Sequence, residues 1–272
     1  MEKIKLAVEK AKASREYLVE AGSLSHEQST VPPVDQQQYT DRPTYELKQI
    51  SLDIEHLEDN RIISHERSNP KAASYDMLRT QVIQMMSETG CQTLAITSPK
   101  SGCGKTVTSI NLAFSVARHT DRSAILIDLD LRKPNIANYL GINCEKSLID
   151  YLQGMAQLEE ILVTPGVERL AVLVNNGAIK NASEVITSKI LNDMLLELRN
   201  RYPSAILIFD MPPMLSTDDV LAFLPQVDCT LLVIASGQTV MSDVENCERL
   251  MNSTHYLGIV LNKYDGRQEE YY

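Results

Sequence analysis

The sequence contains no long hydrophobic run. No stretch approaches the roughly 20 apolar residues that a membrane-spanning helix requires, so we expect no segment to cross a bilayer. The chain begins Met-Glu-Lys-Ile-Lys and continues with a charged, periodic segment, unlike the apolar centre of a secretion signal. These absences predict a cytoplasmic protein.

Cysteine is sparse and forms no recognisable pattern. The five cysteines are scattered and show no metal-ligand spacing, which predicts reduced structural thiols. They are Cys91, Cys103, Cys144, Cys229 and Cys247.

Positive charge is also scarce. The 272 residues include 26 Lys and Arg against 36 Asp and Glu, a net charge of −10, whereas a general nucleic-acid binder needs a basic surface. We therefore expect no nucleic-acid partner. What the sequence does contain is 43% apolar and 23% charged residues. This balance permits a packed core in one large or two small domains.

Three regions are predicted along the chain, at residues 1–69, 70–263 and 264–272. The first region begins with amphipathic spacing over 2–20, which predicts a helix. It continues through a linker rich in Ser, Gln and Pro at 23–44. Apolar residues at three- and four-residue steps in 47–57 predict a short helix or a docking segment. The last region is polar and acidic with three tyrosines, typical of a mobile tail.

The central region alternates strands and helices. Apolar runs without polar alternation predict strands that are covered on both faces. A helix is predicted at 70–86, and helical spacing recurs after the first strand and before the fourth. We therefore predict an α/β fold with a mostly parallel sheet between helices. The predicted strands are 93–97, 124–127, 170–174, 205–209, 230–234 and 258–261.

The most specific motif is the glycine-containing loop at 98–106, which follows a predicted strand and opens a predicted helix. Gly102 and Gly104 allow the backbone to curl so that its N–H groups point at phosphate oxygens. Lys105 is expected to reach the outer phosphates, and the Thr106 hydroxyl to bind Mg²⁺. The loop departs from the usual pattern because Pro99 replaces its first glycine.

Two further predicted strands end in carboxylates. Asp128 and Asp130 follow one apolar run, and alternation along a strand predicts that they face the same way. Asp210 follows another run and precedes two prolines. Ligands bind at this end of open parallel sheets, so the three acids and the phosphate loop predict a shared site for a nucleotide and Mg²⁺.

The three motifs together resemble Walker A, Walker A′ and Walker B of the bacterial tyrosine kinases. The D-x-D-x-R ending of residues 125–132 is the discriminating element, and similarity extends over about residues 71–265. The resemblance implies a P-loop NTPase fold and an ATP- and Mg²⁺-dependent autokinase of capsule or exopolysaccharide export. It implies phosphorylation of its own tail tyrosines, which here are Tyr264, Tyr271 and Tyr272.

The resemblance also implies partners. These are a membrane-spanning polysaccharide co-polymerase that activates the kinase, a cognate tyrosine phosphatase, and further copies of the chain. The expected location is peripheral, at the inner face of the cell membrane.

Site roles are carried over from the resemblance by position. Lys105, Asp128 and Asp130 are the expected catalytic residues, with Asp128 accepting the proton of the incoming tyrosine. Thr106, Asp130 and Asp210 are the expected metal ligands. Asn262 is expected to contact adenine. The full expected nucleotide-binding set is Ser101, Gly102, Cys103, Gly104, Lys105, Thr106, Val107, Arg132 and Asn262.

The sequence departs from the family where the helix before the phosphate loop carries E-x-x-R-x-x-R, which joins subunits into a ring. The corresponding residues are Ala73, Asp76 and Arg79, so that only the last is kept.

Three other functions stay open. A nucleotide-switched dimerising ATPase is suggested by Lys100, which stands at the place of a signature lysine that reaches across a dimer. A GTPase is suggested by the sequence N-K-x-D at 262–265. A regulatory scaffold would bind ATP and act on an export channel by docking.

Overall fold

The computed structural model describes residues 47–66, 69–119 and 122–264, all of which fall within one of the two units of the chain, residues 39–272. The predicted N-terminal helix, the linker, Tyr271 and Tyr272 lie outside the described residues. Among the described helices, none has the length and apolar character needed to cross a membrane.

Within these ranges, eight strands form one sheet in the spatial order β1-β4-β5-β3-β6-β2-β7-β8. Neighbouring strands are parallel except β4 and β5, which are antiparallel. The strands are β1 (Lys48–Gln49), β2 (Thr93–Thr97), β3 (Ala124–Asp128), β4 (Leu162–Thr164), β5 (Leu170–Leu173), β6 (Ile206–Asp210), β7 (Cys229–Ala235) and β8 (His255–Asn262).

Ten helices flank the sheet in the described residues. They are α1 (Ile54–Asp59), α2 (Ala73–Thr89), α3 (Lys105–His119), α4 (Ile136–Leu140), α5 (Leu148–Leu152), α6 (Leu158–Ile161), α7 (Ala182–Ile186), α8 (Lys189–Arg201), α9 (Asp219–Phe223) and α10 (Met241–Leu250), and a 3₁₀ turn, Pro70–Ala72, precedes α2. The predicted helix at 70–86 is therefore a 3₁₀ turn that continues into α2.

Each face of the sheet has its own hydrophobic core. Alternate residues of β3 serve the two faces, since Ile125 packs with α8 on one side while Leu126 packs with α3 on the other. All residues of β2, β3 and β6 are buried. This two-sided burial explains why their sequences are continuously apolar, and the predicted α/β fold is confirmed.

Residues 47–66 contribute to the same core. β1 pairs with β4 at the edge of the sheet, and Leu57 and Ile62 are fully buried beside residues of α3 and β2. The predicted boundary at residue 70 therefore separates residues that share one core.

The sheet order positions the candidate site. β3, β6 and β2 are adjacent, and Asp128 of β3 lies opposite Asp210 of β6 in the register. Because parallel strands end at the same edge, the loops that follow these three strands meet there.

Candidate active site

The phosphate loop connects β2 to α3 and is held in a curled conformation by two glycines. Gly102 and Gly104 have φ angles of 82° and 92°, which side chains disfavour. A Cβ atom on Gly104 would lie 2.1 Å from Nδ2 of Asn262. That amide donates a hydrogen bond of 2.9 Å to the Cys103 carbonyl. Only glycine therefore fits at 104 while β8 contacts the loop.

Lys105 is a buried cation between two carboxylates. Its Nζ lies 2.9 Å from Oδ2 of Asp130 and 3.6 Å from Oδ2 of Asp210. Burial alone lowers the pKa of Lys105, but Asp210 and Asp130 outweigh it and hold this pKa above its usual range. The lysine is therefore charged, and both carboxylates that hold it lie at the end of the phosphate loop.

Asp210 accepts two hydroxyl hydrogen bonds from α3. Oγ1 of Thr106 donates at 2.6 Å and Oγ of Ser109 at 3.2 Å. Burial is the main cause that raises the pKa of Asp210. The sequence analysis missed Ser109, although its place one helical turn after Lys105 could have indicated it.

Asp128 lies beneath the cleft and is fully buried. Its carboxyl accepts backbone N–H hydrogen bonds from Asp130 at 3.2 Å, Asn135 at 3.0 Å and Ile136 at 2.9 Å. Burial and then the nearby Asp210 raise its pKa to about 8. The side chain therefore shapes the loop after β3, and its role as proton acceptor stays a prediction.

Asp128 and Asp130 do not share one strand face as expected. β3 ends at Asp128, and Asp130 lies in the loop that follows, where it lines the cleft. The reason is that Asp128 binds the backbone of its own loop, which turns the chain away from the extended conformation.

Arg132 pairs with the start of α9. Its Nε lies 2.6 Å from Oδ2 of Asp219 and its Nη2 lies 3.0 Å from Oδ1, a two-pronged contact with a fully buried carboxylate. Asp218, more exposed, lies 3.7 Å away. Burial alone raises the pKa of Asp219, but Arg132 holds it below its usual range. This pair connects the loop after β3 to the start of α9.

These residues border a cleft of about 1000 Å³. Most of the predicted nucleotide-binding residues line it, whereas Cys103 is buried behind the loop. Tyr264 is exposed, two residues after the end of β8. The predicted residues on the cleft wall are Ser101, Gly102, Gly104, Lys105, Thr106, Val107, Asp130, Arg132 and Asn262.

Several residues of the cleft wall were not predicted, among them Arg61, Tyr75 and Tyr139. Arg61 and Tyr75 are distant in sequence from every motif, and no local signal marks them.

The donor set fits Mg²⁺ carried by a nucleotide. Mg²⁺ usually binds through one or two carboxylates together with phosphate oxygens and water. Asp130, Asp210 and the Thr106 hydroxyl supply this type of ligand at one point. Among the described residues, no group of three or more His, Cys, Asp and Glu side chains is arranged to hold a metal alone.

Comparison with known proteins shows the family to which the chain belongs. Residues 94–272 match the CobQ/CobB/MinD/ParA nucleotide binding domain family. Tyrosine-protein kinase CpsD of Streptococcus pneumoniae serotype 4 is 32% identical over 197 residues, covering 70% of this chain and 83% of that protein. The chain belongs to this nucleotide-binding family and, within it, to the bacterial tyrosine kinases. Tyrosine-protein kinase YwqD of Bacillus subtilis is 26% identical over 208 residues, covering 76% and 86% of the two chains.

Solved structures agree with this assignment. The kinase domain of Escherichia coli tyrosine kinase ETK superposes with a TM-score of 0.68 at 27% identity, covering 75% of this chain and 80% of that one. The cell division ATPase MinD of Pyrococcus furiosus has a TM-score of 0.55 at 24% identity, covering 64% and 73%. The second likeness shows the shared fold alone.

Proposed function

We propose that this bacterial tyrosine kinase homologue is an ATP-dependent autokinase that phosphorylates Tyr264, Tyr271 and Tyr272. One observation carries the proposal: Lys105, Thr106, Asp130 and Asp210 meet at the end of the phosphate loop. Phosphoryl transfer needs positioned phosphates and compensation of their charge more than covalent chemistry.

The chain's own residues hold the nucleotide in this proposal. The backbone amides from Ser101 to Thr106 surround the phosphates at the start of α3, where the helix dipole favours anions. Lys105, now paired with Asp130, would bind an outer phosphate. Asp130, Asp210 and Thr106 would hold Mg²⁺, which would supply charge neutralisation at the phosphates. Arg132 also lines the cleft and is oriented by Asp219.

Asp128 is our proposed acceptor for the tyrosine proton. A phenol has a pKa near 10 and is protonated at neutral pH. Burial raises the pKa of Asp128 to about 8 in the nucleotide-free chain, so near pH 7 most of it is protonated, and only its ionised form can accept the tyrosine proton. Asp128→Asn should retain nucleotide binding and lose transfer; unchanged transfer would remove Asp128 from this role.

The test is incubation of the purified chain with Mg-ATP, followed by mass spectrometry of the tail. We expect phosphate on at least one of the three tyrosines, and none in Lys105→Met. The same assay with GTP checks the preference for ATP. Hydrolysis without any modified tyrosine, with the membrane partner present, would contradict the proposal.

The second candidate is a nucleotide-switched dimerising ATPase, favoured by Lys100. In the structure its Nζ lies 2.7 Å from Oδ2 of Asp243 in α10, so the lysine is held within its own chain. A switch ATPase would dimerise when ATP binds, and Lys100→Ala would abolish that step. In our proposal the same variant keeps tail phosphorylation.

We further propose that the protein works at the inner face of the membrane through a polysaccharide co-polymerase, and that a cognate phosphatase reverses its modification. The support is the family resemblance together with the kinship to capsule-type kinases named above. Co-purification with the co-polymerase, and its loss on deletion of the partner's cytoplasmic segment, tests this association.

A further inference from the structure

The cleft continues well beyond the phosphate loop. Its lining also includes residues from the end of α1, the turn before α2, the start of α2 and the loop leading into α4. The nucleotide proposal assigns no role to the residues there. They include Arg61, Lys71, Tyr75, Lys133 and Tyr139.

Arg61 occupies a backbone position that normally favours glycine. It follows the last residues of α1 with a φ of 61°, the left-handed conformation in which helices commonly end on glycine. Among the described residues, Arg61, Arg169 and Lys263 are the non-glycine residues with positive φ. Two of these three, Arg61 and Lys263, line the cleft. Unfavourable backbone angles of this kind tend to persist at functional sites.

A buried asparagine fixes Arg61 relative to the phosphate loop. Nδ2 of Asn111, in α3, donates to the Arg61 carbonyl at 3.0 Å and to the Val107 carbonyl at 2.8 Å. Its Oδ1 accepts N–H hydrogen bonds from Ile63 at 2.8 Å and Ser64 at 2.9 Å. The helix that starts with Lys105 therefore also positions Arg61.

This part of the cleft contains three cations, Arg61, Lys71 and Lys133. No described carboxylate lies within salt-bridge distance of Arg61, Lys71 or Lys133. Glu58 and Asp59 line the same cleft and moderate the local field. In a chain of net charge −10, unpaired cations beside a phosphate loop indicate a second anionic ligand.

We propose that Arg61, with Lys71 and Lys133, forms the acceptor subsite and binds the carboxylates of an acidic tyrosine peptide. The tail supplies such a peptide, because Asp265, Glu269 and Glu270 stand beside its tyrosines. The subsite rests on the autokinase function proposed above. The guanidinium of Arg61 is the specificity determinant. Arg binds a carboxylate through two parallel hydrogen bonds, whereas Lys offers a point charge.

The test uses the full-length chain with Tyr264, Tyr271 and Tyr272 changed to Phe, so that phosphate is transferred only to added peptide; its tail carboxylates are the same in every variant compared. The substrate is a synthetic peptide of residues 264–272. Arg61→Gly suits the left-handed backbone and removes only the side chain, and Arg61→Lys keeps the charge. Arg169→Gly is the matched control, because it removes an arginine of the same backbone conformation (φ 70°) outside the cleft lining.

We expect Arg61→Gly to raise the KM for peptide roughly five- to tenfold while kcat and the KM for ATP stay unchanged. Arg61→Lys should fall between, and Arg169→Gly should match the parent. Added salt should raise the parent's peptide KM more steeply than that of Arg61→Gly. In chains with an intact tail, a rate that rises with protein concentration identifies a second copy as the source of the peptide, and a constant rate identifies the same chain.

An unchanged peptide KM in Arg61→Gly, or a raised KM for ATP, would overturn the subsite and leave the autokinase proposal standing. If the triple-Phe parent does not phosphorylate the peptide, and the unmodified chain does not phosphorylate its own tail, both proposals fail.

Discussion

At the scale of single residues, two glycines of similar backbone conformation offer a matched pair. We predict that Gly104→Ala lowers ATP affinity at least tenfold. A new Cβ would displace the Asn262 amide from the Cys103 carbonyl, in addition to the roughly 1–2 kcal/mol cost of a left-handed backbone. Gly102→Ala carries the backbone cost alone, because nothing lies within 4 Å of its Cβ. Titration with a fluorescent ATP analogue compares them, and equal losses would show that the Asn262 contact is unimportant.

Asp128 predicts how the stability of the metal-free protein depends on pH. Its pKa is about 8 in the folded chain and near 3.8 without the fold. Between these values the folded state holds the extra proton, so the free energy of unfolding decreases as pH rises. The contribution is up to about 1.4 kcal/mol per pH unit. Urea unfolding with chelator at pH 5, 6 and 7 measures it.

The carboxylates with lowered pKa, such as Asp219 and Asp228, change stability only at more acidic pH. They therefore do not obscure this range, to which Asp210, whose pKa is also raised by burial, contributes with the same sign as Asp128. Asp128→Asn should give a shallower pH profile. If wild type and variant have the same profile, the proton is not held at Asp128.

At the scale of elements, α1 contributes more to the hydrophobic core than its sequence predicted. We predict that Leu57→Ala lowers the free energy of unfolding by about 2–4 kcal/mol, because the side chain is fully buried and leaves a cavity. Ile54→Ala in the same helix should cost less than about 0.5 kcal/mol, since 63% of Ile54 is exposed. Similar losses in chemical denaturation would contradict the packing of α1 against the core.

Sequence reasoning found the strands that are buried on both faces. β2, β3, β6 and β7 are apolar at nearly every position, a signal that needs no neighbour to interpret. β1 and β4, of two and three residues, were missed. Strands this short exist because of the pairing at the sheet edge, which a local pattern does not contain.

The residues of the candidate site were likewise predictable where a local sequence pattern marks them, and not where only a long-range contact brings them to the cleft. Gly104, Lys105 and Asp210 were predictable because each lies at the end of a strand, or in the motif after a strand, that the sequence reveals. Arg61 and Tyr75 join the cleft through contacts that span 30 to 50 residues, such as the 3.0 Å bond from Asn111 to the Arg61 carbonyl. No residue close to Arg61 or Tyr75 in the sequence indicates which distant residue each of them contacts.

At the scale of the whole molecule, the family resemblance predicts that assembly depends on charged residues of α2. The ring contact implied by the family uses charges three residues apart, and here Arg79 is the one that survives. Its Nη1 donates to Oδ1 of Asp76 at 2.8 Å and to Oγ of Ser115 at 3.0 Å. Ser115 donates to the same Asp76 oxygen at 2.6 Å. The arginine side chain is only 15% exposed, so its hydrogen bonds are made within its own chain.

We therefore predict that the isolated protein is a monomer or a weak dimer with slow tail phosphorylation. Any ring would need each subunit to break the Asp76–Arg79 pair, and the same cost recurs at every joint of a head-to-tail assembly. Clustering by a membrane partner would supply the effective concentration instead. Native mass spectrometry of the purified chain measures the state, with Asp76→Arg as the comparison that restores the family's cation. A stable closed ring of the unmodified chain alone would refute this prediction, whereas a ring in Asp76→Arg only would identify this one side chain as the block.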